Sequence, residues 1–180
     1  REQVDPNHST VWVAESDNPV WLDVFDALHL YSITWAANTD PMYKATKMRK
    51  RVDEYIATHG VERYWIATTM PGYNDTHIDG RTNAYVYPRS PEYYSSTWDA
   101  AIASTPEMVI VTSYNEWREG TMIEPSVTYG STYLDLTREM AALYKGSQAA
   151  QPDPTPTGTP EPTATLTQTP LPSATPEPTP

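Results

Sequence analysis

Residues 109–120 read Val-Ile-Val-Thr-Ser-Tyr-Asn-Glu-Trp-Arg-Glu-Gly, an apolar run that passes directly into a polar and aromatic cluster. The apolar run lacks polar alternation and is rich in β-branched residues, which predicts a buried strand. Functional residues of α/β barrels and open parallel sheets lie at the carboxyl ends of the strands. The stretch therefore predicts a parallel sheet with a site at the end of this strand.

The rest of the first 147 residues alternates between strand and helix patterns. Short apolar segments predict four strands, at 10–14, 27–33, 64–68 and 108–112. Apolar residues at helical spacing predict three helices, from Thr39-Asp40-Pro41 to Gly60, from Ser90-Pro91-Glu92 onward, and over 131–145. Their apolar faces are predicted to hold Met42, Ala45, Met48, Val52 and Tyr55 or Ile56 in the first, Tyr94, Trp98, Ala101 and Ile102 in the second, and Tyr133, Leu136, Met140 and Leu143 in the last. The order β, β, α, β, α, β, α favours a parallel sheet covered by helices.

This set of elements favours an α/β fold that is half of a (β/α)8 TIM barrel. Four strands are half the number in such a barrel, and a complete barrel needs roughly 250 residues. A small stand-alone α/β sheet is the alternative. Because the sequence begins at Arg1 instead of Met, we expect it to be part of a longer protein.

The C-terminal segment has a different composition from the rest of the chain. Residues 151–180 contain ten prolines and nine threonines but no aromatic residue, Lys or Arg. Such a segment cannot bury enough apolar surface to offset its ordering entropy. We therefore expect a globular domain over 1–147 and a disordered Pro/Thr-rich linker over 148–180. Since mixed Pro and Thr suit O-glycosylated stalks, we expect an extracellular or cell-surface protein with a further module after the linker; a plain disordered tail is the alternative.

Composition excludes several classes of function. The net charge is −11 and Lys and Arg form no extended cluster, which argues against nucleic acids and anionic membranes as partners. The absence of cysteine excludes disulfides and thiolate metal sites. No apolar run is long enough to span a bilayer. The four histidines show no metal-ligand spacing, so we expect neither a metal nor a cofactor.

Glu116 and Glu119 are the candidate catalytic residues. Hydrolysis of a glycosidic bond needs one carboxyl group that protonates the leaving oxygen and a second that assists attack on the anomeric carbon. A spacing of three residues in a loop after a strand can bring both side chains to one side of a pocket, and Gly120 gives the backbone freedom there. The alternative is a solvated helix face, where Glu-x-x-Glu is common.

Aromatic and polar residues supply the candidate substrate-binding groups. A ring packs against the apolar C–H face of a pyranose, while polar groups bind its hydroxyls. The aromatic candidates are Trp117, Tyr114, Tyr73, Trp35 and Tyr31, and the polar candidates are Asn115, Asp75, Arg81 and Arg89. Tyr73 lies in a turn-rich loop that offers little structure for its ring to pack against. Either arginine can orient a carboxylate or a sugar hydroxyl through its forked donors, or form a surface ion pair.

Two motifs, in this order along the chain, resemble those of a known family. Residues 71–76 read Pro-Gly-Tyr-Asn-Asp-Thr, and residues 112–125 read Thr-Ser-Tyr-Asn-Glu-Trp-Arg-Glu-Gly-Thr-Met-Ile-Glu-Pro. Between them lie the two arginines and a predicted helix with Tyr93, Tyr94 and Trp98. From about residue 64 to residue 143, the pattern resembles the C-terminal half of glycoside hydrolase family 99 and its 99-like relatives, which include endo-α-mannosidases and endo-α-mannanases.

The resemblance implies a barrel in which the Glu-Trp-x-Glu-Gly motif follows the eighth strand. It implies that Glu119 is the general acid/base. It also implies that Glu116 assists the substrate's own 2-hydroxyl as an internal nucleophile, so that hydrolysis retains the anomeric configuration. The chain departs from the best-known members at Arg118, where they have His, and at Met122, where they have Gln. Both positions adjoin the motif, which leaves the sugar open.

These observations predict a retaining hydrolase of α-linked glycans, similar to endo-α-mannosidases and mannanases, with a polysaccharide or oligosaccharide as substrate. We expect the sequence alone, as half of a barrel, to be inactive. An α-1,3-glucanase-like enzyme is an alternative of the same class. A non-catalytic carbohydrate-binding protein of the cell surface and a structural α/β domain without a sugar site are alternatives of other classes.

Overall fold

A computed structural model describes residues 1–35 and 40–149 and contains the predicted strands and helices in the predicted order, together with a 3-10 helix and two short strands that were not predicted. In chain order the elements are β1 (Val13–Glu15), a 3-10 helix (Pro19–Asp23), β2 (Ala27–His29), α1 (Pro41–His59), β3 (Tyr64–Thr69), β4 (Tyr73–Asn74), β5 (Val86–Tyr87), α2 (Pro91–Ala103), β6 (Met108–Val111) and α3 (Thr132–Ala149). Thr39 and residues 150–180 of the predicted linker lie outside the described residues, whereas 148 and 149 end α3.

Four strands form one parallel sheet in the order β1-β2-β3-β6. Every neighbouring pair in this sheet is parallel, and its strands are in the same order as along the chain. Between β3 and β6 the chain also forms a separate antiparallel hairpin, β4-β5. A parallel sheet with strands in sequential order is the arrangement found in (β/α)8 barrels. The predicted α/β class is therefore confirmed.

The sheet has one face covered by helices. Ala14, Leu28 and Trp65 lie side by side on this face and pack with Met48 and Val52 of α1. Because side chains alternate along a strand, the neighbouring residues Glu15, His29 and Ile66 share the opposite face. We call this opposite face the second face of the sheet.

The helices begin where the sequence predicts, and α1 also ends where predicted, whereas α3 continues to Ala149, four residues beyond its predicted end at 145. The Asp40 side chain accepts the backbone N–H of Met42 at 3.0 Å and Pro41 is the first helical residue, while Gly60, with φ of +67°, ends α1. Ser90 caps α2 by accepting the N–H of Tyr93 at 3.0 Å. On α3, Tyr133 and Met140 pack against α2 in a second apolar cluster. No helix in the described ranges is long and apolar enough to cross a membrane.

Several local predictions were wrong. Met42 and Leu143, predicted on buried helix faces, are 41% and 57% exposed. The run at 108–111, predicted to be a buried strand, has an exposed Met108 and three half-buried residues, because within the described residues β6 is an edge strand that pairs with β3 alone.

Two predicted strands are also shorter than the sequence indicated. The segment at 10–14 starts later because the backbone N–H and carbonyl of Thr10 are bound by Asp5 and Arg1. The predicted strand at 27–33 ends at His29, since beyond it the carbonyls of Leu30 and Tyr31 accept the hydroxyls of Thr68 and Thr112.

Candidate active site

The loop after β6 carries both candidate catalytic glutamates. Residues 112–120 form bends and turns, so the alternative of an exposed helix face is excluded. The Ser113 hydroxyl accepts the N–H of Glu116 at 2.8 Å, and the carbonyl of Glu116 accepts the N–H of Thr121 at 3.2 Å. Gly120 has φ of +63°, a conformation that glycine adopts without steric cost. These contacts hold residues 113–121 in a compact turn directly after β6.

Glu119 is the centre of a hydrogen-bonded network. Its side chain is 18% exposed, and Oε1 accepts from Nη2 of Arg81 at 2.7 Å and from the Tyr73 hydroxyl at 3.2 Å. Oε2 has a longer contact, 3.4 Å, with the Tyr31 hydroxyl. Three predicted substrate-binding residues thus meet the predicted acid/base residue, although Tyr31 and Glu119 are 88 positions apart.

Asp75 binds Arg81 on the buried side of this network. One of its oxygens accepts from Nε of Arg81 at 2.7 Å and lies 3.3 Å from the Tyr73 hydroxyl, whose single hydrogen is shared between this oxygen and Glu119. The other oxygen accepts the N–H of Tyr85 at 2.8 Å. Burial acts to raise the pKa of Asp75, but these hydrogen bonds outweigh it and hold the pKa below its usual range. Asp75 is therefore a buried carboxylate that positions Arg81 against Glu119.

Tyr73 takes part through its hydroxyl rather than its ring. Its residue is 5% exposed and its ring stacks on Tyr85, with the centroids 4.5 Å apart. The expectation that this ring lacks structure to pack against is wrong, because β4 and β5 form an unpredicted hairpin that brings Tyr85 beneath it. Burial raises the pKa of Tyr73, and the charges of Glu119 and Asp75 act in the same direction. The phenol therefore stays protonated and donates.

Glu116 lies in the same loop but outside the Arg81 network. Its carboxylate accepts the N–H of Arg118 at 3.0 Å, and the residue is half-buried. Burial raises the pKa of Tyr31, and the charges of Glu119 and Glu116 raise it further. Tyr31, two residues after the end of β2, therefore lies close enough to both carboxylates for their charges to affect its pKa.

Exposed aromatic and polar side chains border the loop. Trp117 is 45% exposed, and its indole N–H donates to Glu124 at 2.7 Å, which fixes the ring. Tyr114 is 54% exposed, and Asn115 is exposed next to it. Trp117, Tyr129, Asn74 and His77 are among the residues that line a cleft of about 370 Å³, which also borders Tyr73 and Gly120. Trp35 is exposed beyond β2 and has Lys44 over its ring.

Arg89 holds the loop without touching Glu119. Its guanidinium lies 3.9 Å from the ring centroid of Tyr133 and donates to the carbonyls of Gly120, at 2.9 Å, and of Met122. A Cβ on Gly72 would lie 2.7 Å from the Cα of Arg89, so only glycine fits there. Sequence reasoning identified Arg89 as a site candidate but gave no signal for this supporting role.

The β4-β5 hairpin is also tied to the loop by its backbone. The N–H of Asn74 donates to the carbonyl of Glu119 at 2.8 Å. Across residues 1–35 and 40–149, no group of three or more His, Asp or Glu side chains is placed to hold a metal ion. The chemistry that this site offers is that of carboxyl groups supported by a guanidinium and phenols.

Comparison with known proteins supplies a family. A model of glycosyl hydrolase family 99 matches residues 2–150. The glycoprotein endo-alpha-1,2-mannosidase-like proteins of Mus musculus and Homo sapiens are each 43% identical over 56 residues, which is 29% of this chain and 12% of each relative. The glycoprotein endo-alpha-1,2-mannosidase of Rattus norvegicus is 39% identical over a segment of the same length.

Solved structures show the same fold. The GH99 endo-alpha-mannosidase from Bacteroides thetaiotaomicron, in complex with bis-tris-propane, has a TM-score of 0.66 at 22% identity, over 81% of this chain and 50% of that one. A second structure of a GH99 endo-alpha-mannosidase from that organism has a TM-score of 0.64, also at 22% identity, over 81% of this chain and 48% of that one. This chain thus spans about half the length of those structures, as expected for half of the barrel. Since the family model matches most of the sequence, the chain belongs to glycosyl hydrolase family 99.

Proposed function

We propose that this chain carries the catalytic carboxyl groups of a retaining glycoside hydrolase that cleaves α-linked glycans, in the manner of an endo-α-mannosidase. The observation that carries the proposal is the position of Glu119 after β6, where Arg81, Tyr73 and Tyr31 hold its carboxylate and Glu116 lies three residues away. Membership of the family and the exposed Trp117 beside a cleft give further support.

Glu119 is proposed as the general acid/base. Its Oε1 is occupied by Arg81 and Tyr73, whereas within residues 1–35 and 40–149 Oε2 has only the 3.4 Å contact with Tyr31. Oε2 is therefore the oxygen that would hold the proton given to the glycosidic oxygen as the C–O bond breaks. In the second step the same oxygen would take a proton from the water that attacks the anomeric carbon.

Glu116 is proposed to act on the substrate's 2-hydroxyl. It would accept the hydroxyl proton as that oxygen attacks the anomeric carbon and would return the proton when water opens the resulting ring. Two inversions at one carbon retain the configuration. Glu116 is half-buried in a loop tied to Ser113 and Thr121, which would hold its carboxylate in place during both steps.

The substrate proposal starts from α-mannosides. The curated relatives are named endo-alpha-1,2-mannosidases, and an α-1,3-glucan is the alternative substrate to be compared. Met122, one of the two departures from the family pattern, is 9% exposed, and its sulfur accepts from Arg89 at 3.3 Å. It borders the same cleft as Trp117, which makes this cleft the place where the sugar preference would be set.

The deciding experiment is a reducing-end assay of the full-length protein on α-mannan and α-1,3-glucan. The variants are Glu119→Gln and Glu116→Gln, with Glu139→Gln on the exposed side of α3 as the matched control. We expect turnover of one polymer that both site variants abolish and the control retains, and a retained configuration in the first product seen by NMR. If Glu119→Gln turned over the polymer as fast as the wild type, the proposal would be wrong. If the wild type bound the polymer without cleaving it, the result would favour a non-catalytic carbohydrate-binding protein.

We also propose that residues 1–150 alone are inactive. Within the described part, β1 and β6 each pair on one side only, and Val13 and Met108 on the second face are exposed. Turnover by this segment, purified as a monodisperse monomer, would contradict the idea. The Pro/Thr-rich composition of 151–180 supports an extracellular or cell-surface location, which cell fractionation would test.

A further inference from the structure

A second polar group lies beside the Glu119 network, on the second face of the sheet. Glu15 ends β1 and His29 ends β2, and the two are direct neighbours in the sheet register. Tyr31, two residues after His29, contacts Glu119 through its hydroxyl. The charge of Glu15 reaches both His29 and Tyr31, acting to raise the pKa of each. Glu15 and His29 thus border the candidate active site, although nothing in the proposed chemistry uses them.

The hydrogen bonds around His29 determine which ring nitrogen carries the proton. Nδ1 lies 3.2 Å from the hydroxyl oxygen of Thr68. That hydroxyl has one hydrogen and donates it to the carbonyl of Leu30, so toward His29 it can act only as an acceptor. His29 therefore donates from Nδ1.

The ring is neutral near pH 7, and its other nitrogen is an acceptor. Burial lowers the pKa of His29, and this effect outweighs the opposing charge of Glu15. A neutral ring protonated on Nδ1 carries a lone pair on Nε2. No side chain or backbone group in residues 1–35 and 40–149 donates to Nε2, and His29 is only half-buried. Among the described residues, Nε2 of His29 is thus an acceptor without a protein donor next to the site.

We infer that His29 binds a hydroxyl group of the bound glycan by accepting its hydrogen bond on Nε2. The inference rests on the proposed function, because the ligand is the glycan that Glu119 would cleave. A half-buried acceptor can exchange a water molecule for a donor of the ligand, and hydroxyls are the donors that a glycan presents in number. A metal ion is the other common partner of a neutral imidazole, but the described residues hold no set of ligands around His29 that would complete a metal site. Glu15, exposed beside the ring, would accept from a second hydroxyl.

The test uses the full-length protein with Glu119→Gln, so that ligand binds without turnover. Calorimetry with an α-mannan oligosaccharide compares this parent with versions that also carry His29→Phe, His29→Gln or Thr68→Val. His29→Phe should weaken binding about two- to tenfold, the range for one hydrogen bond between uncharged groups. His29→Gln, whose amide oxygen accepts, should recover part of the loss. Thr68→Val removes the acceptor that fixes the Nδ1 proton and should weaken binding without touching the ligand.

Two controls separate this role from a structural one. His59→Phe changes an exposed histidine at the end of α1, stacked on Tyr55, and should leave binding unchanged. In a series of monodeoxy ligands, the one that lacks the contacted hydroxyl should bind the parent and His29→Phe equally. If His29→Phe does not fold, His29→Gln and Thr68→Val give the comparison.

Binding of the intact ligand that is equal in the parent and in all His29 and Thr68 variants would overturn the role of His29 and leave the proposed function standing. A parent that binds neither α-mannan nor α-1,3-glucan oligosaccharides would overturn the proposed function, and this inference with it.

Discussion

Nη2 of Arg81 lies 2.7 Å from Oε1 of Glu119, and Nε of the same guanidinium lies 2.7 Å from Asp75. Arg81 therefore bridges two carboxylates with two different nitrogens, one facing the candidate acid/base residue and one facing the interior. The hydrogen bond to Asp75 is the largest of the effects that raise the pKa of Arg81. The bridge depends on the forked shape of the guanidinium as well as on its charge.

Arg81→Lys should therefore lower kcat/KM about tenfold or more, because an ammonium group cannot reproduce both contacts at once. Steady-state kinetics on the preferred polymer measure the effect. Arg138→Lys is the matched control, since Arg138 forms an exposed ion pair with Asp135 on α3 and should keep full activity. Equal kinetics for Arg81→Lys and the wild type would show that charge alone suffices at this position.

Asp75→Asn should destabilise the folded chain by about 1–3 kcal/mol, the cost of leaving buried polar groups without good partners. The change weakens the contacts to Arg81 and to the N–H of Tyr85. Urea unfolding at pH 7 measures the loss, with Asp79→Asn in the exposed part of the same loop as control.

The same pair of variants gives a test in acid. Because the pKa of Asp75 is lower in the folded state, its contribution is present above the unfolded value of about 3.9 and is lost as the pH falls through the folded pKa. The difference in the free energy of unfolding between the wild type and Asp75→Asn should therefore become smaller below about pH 4. A difference that stays constant down to pH 2 would contradict the assigned ionised state of Asp75.

Gly72→Ala should destabilise the fold by about 1–3 kcal/mol through overpacking. The added Cβ would meet the backbone of Arg89 at 2.7 Å, and φ at Gly72 is +152°, where side chains are rarely found. Gly146→Ala in α3 is the matched control, since nothing lies within 4 Å of the position that an added Cβ would take there and the backbone is helical. Thermal unfolding should show a lower melting temperature for Gly72→Ala and an unchanged one for Gly146→Ala. A melting temperature of Gly72→Ala equal to that of the wild type would show that the segments around Gly72 and Arg89 can move apart without cost.

His29 should make the fold less stable in mild acid. Its folded pKa lies below the unfolded value of about 6.5, so between these values the unfolded chain binds more protons and stability falls as the pH falls. His29→Gln should remove this part of the pH dependence, whereas His59→Gln on the exposed end of α1 should not. Urea unfolding at pH 5 and at pH 7.5 measures this pH dependence. An unchanged pH dependence in His29→Gln would mean that His29 has the same pKa in the folded and the unfolded chain.

Much of the fold could be predicted because its signals are local. The caps at Asp40 and Ser90 and the stop at Gly60 act through neighbouring backbone groups, so the sequence alone reveals them. The strand ends near Thr10 and His29 were misplaced because distant side chains bind the backbone there. Two-residue strands carry no detectable period, so the β4-β5 hairpin was missed.

The sequence indicated which residues to consider for the candidate site but not how their side chains are arranged. The family resemblance selected Tyr73, Asp75 and Glu119 together, but nothing in the spacing of these residues shows that the Tyr73 ring is buried on Tyr85. The acceptor on His29 depends on where Thr68 donates its single hydrogen, which no pattern in the chain encodes. Contacts between residues tens of positions apart are set by the packed sheet and become visible only in the structure.

The backbone bond from Asn74 to Glu119 gives this site a built-in reporter. An amide hydrogen exchanges with solvent deuterium only when its bond opens, so the exchange rate at Asn74 measures how often the hairpin and the Glu119 loop part. A ligand that holds the two loops together should slow that exchange, even one that is never cleaved. Occupancy of the site can thus be followed at a single amide, without any turnover.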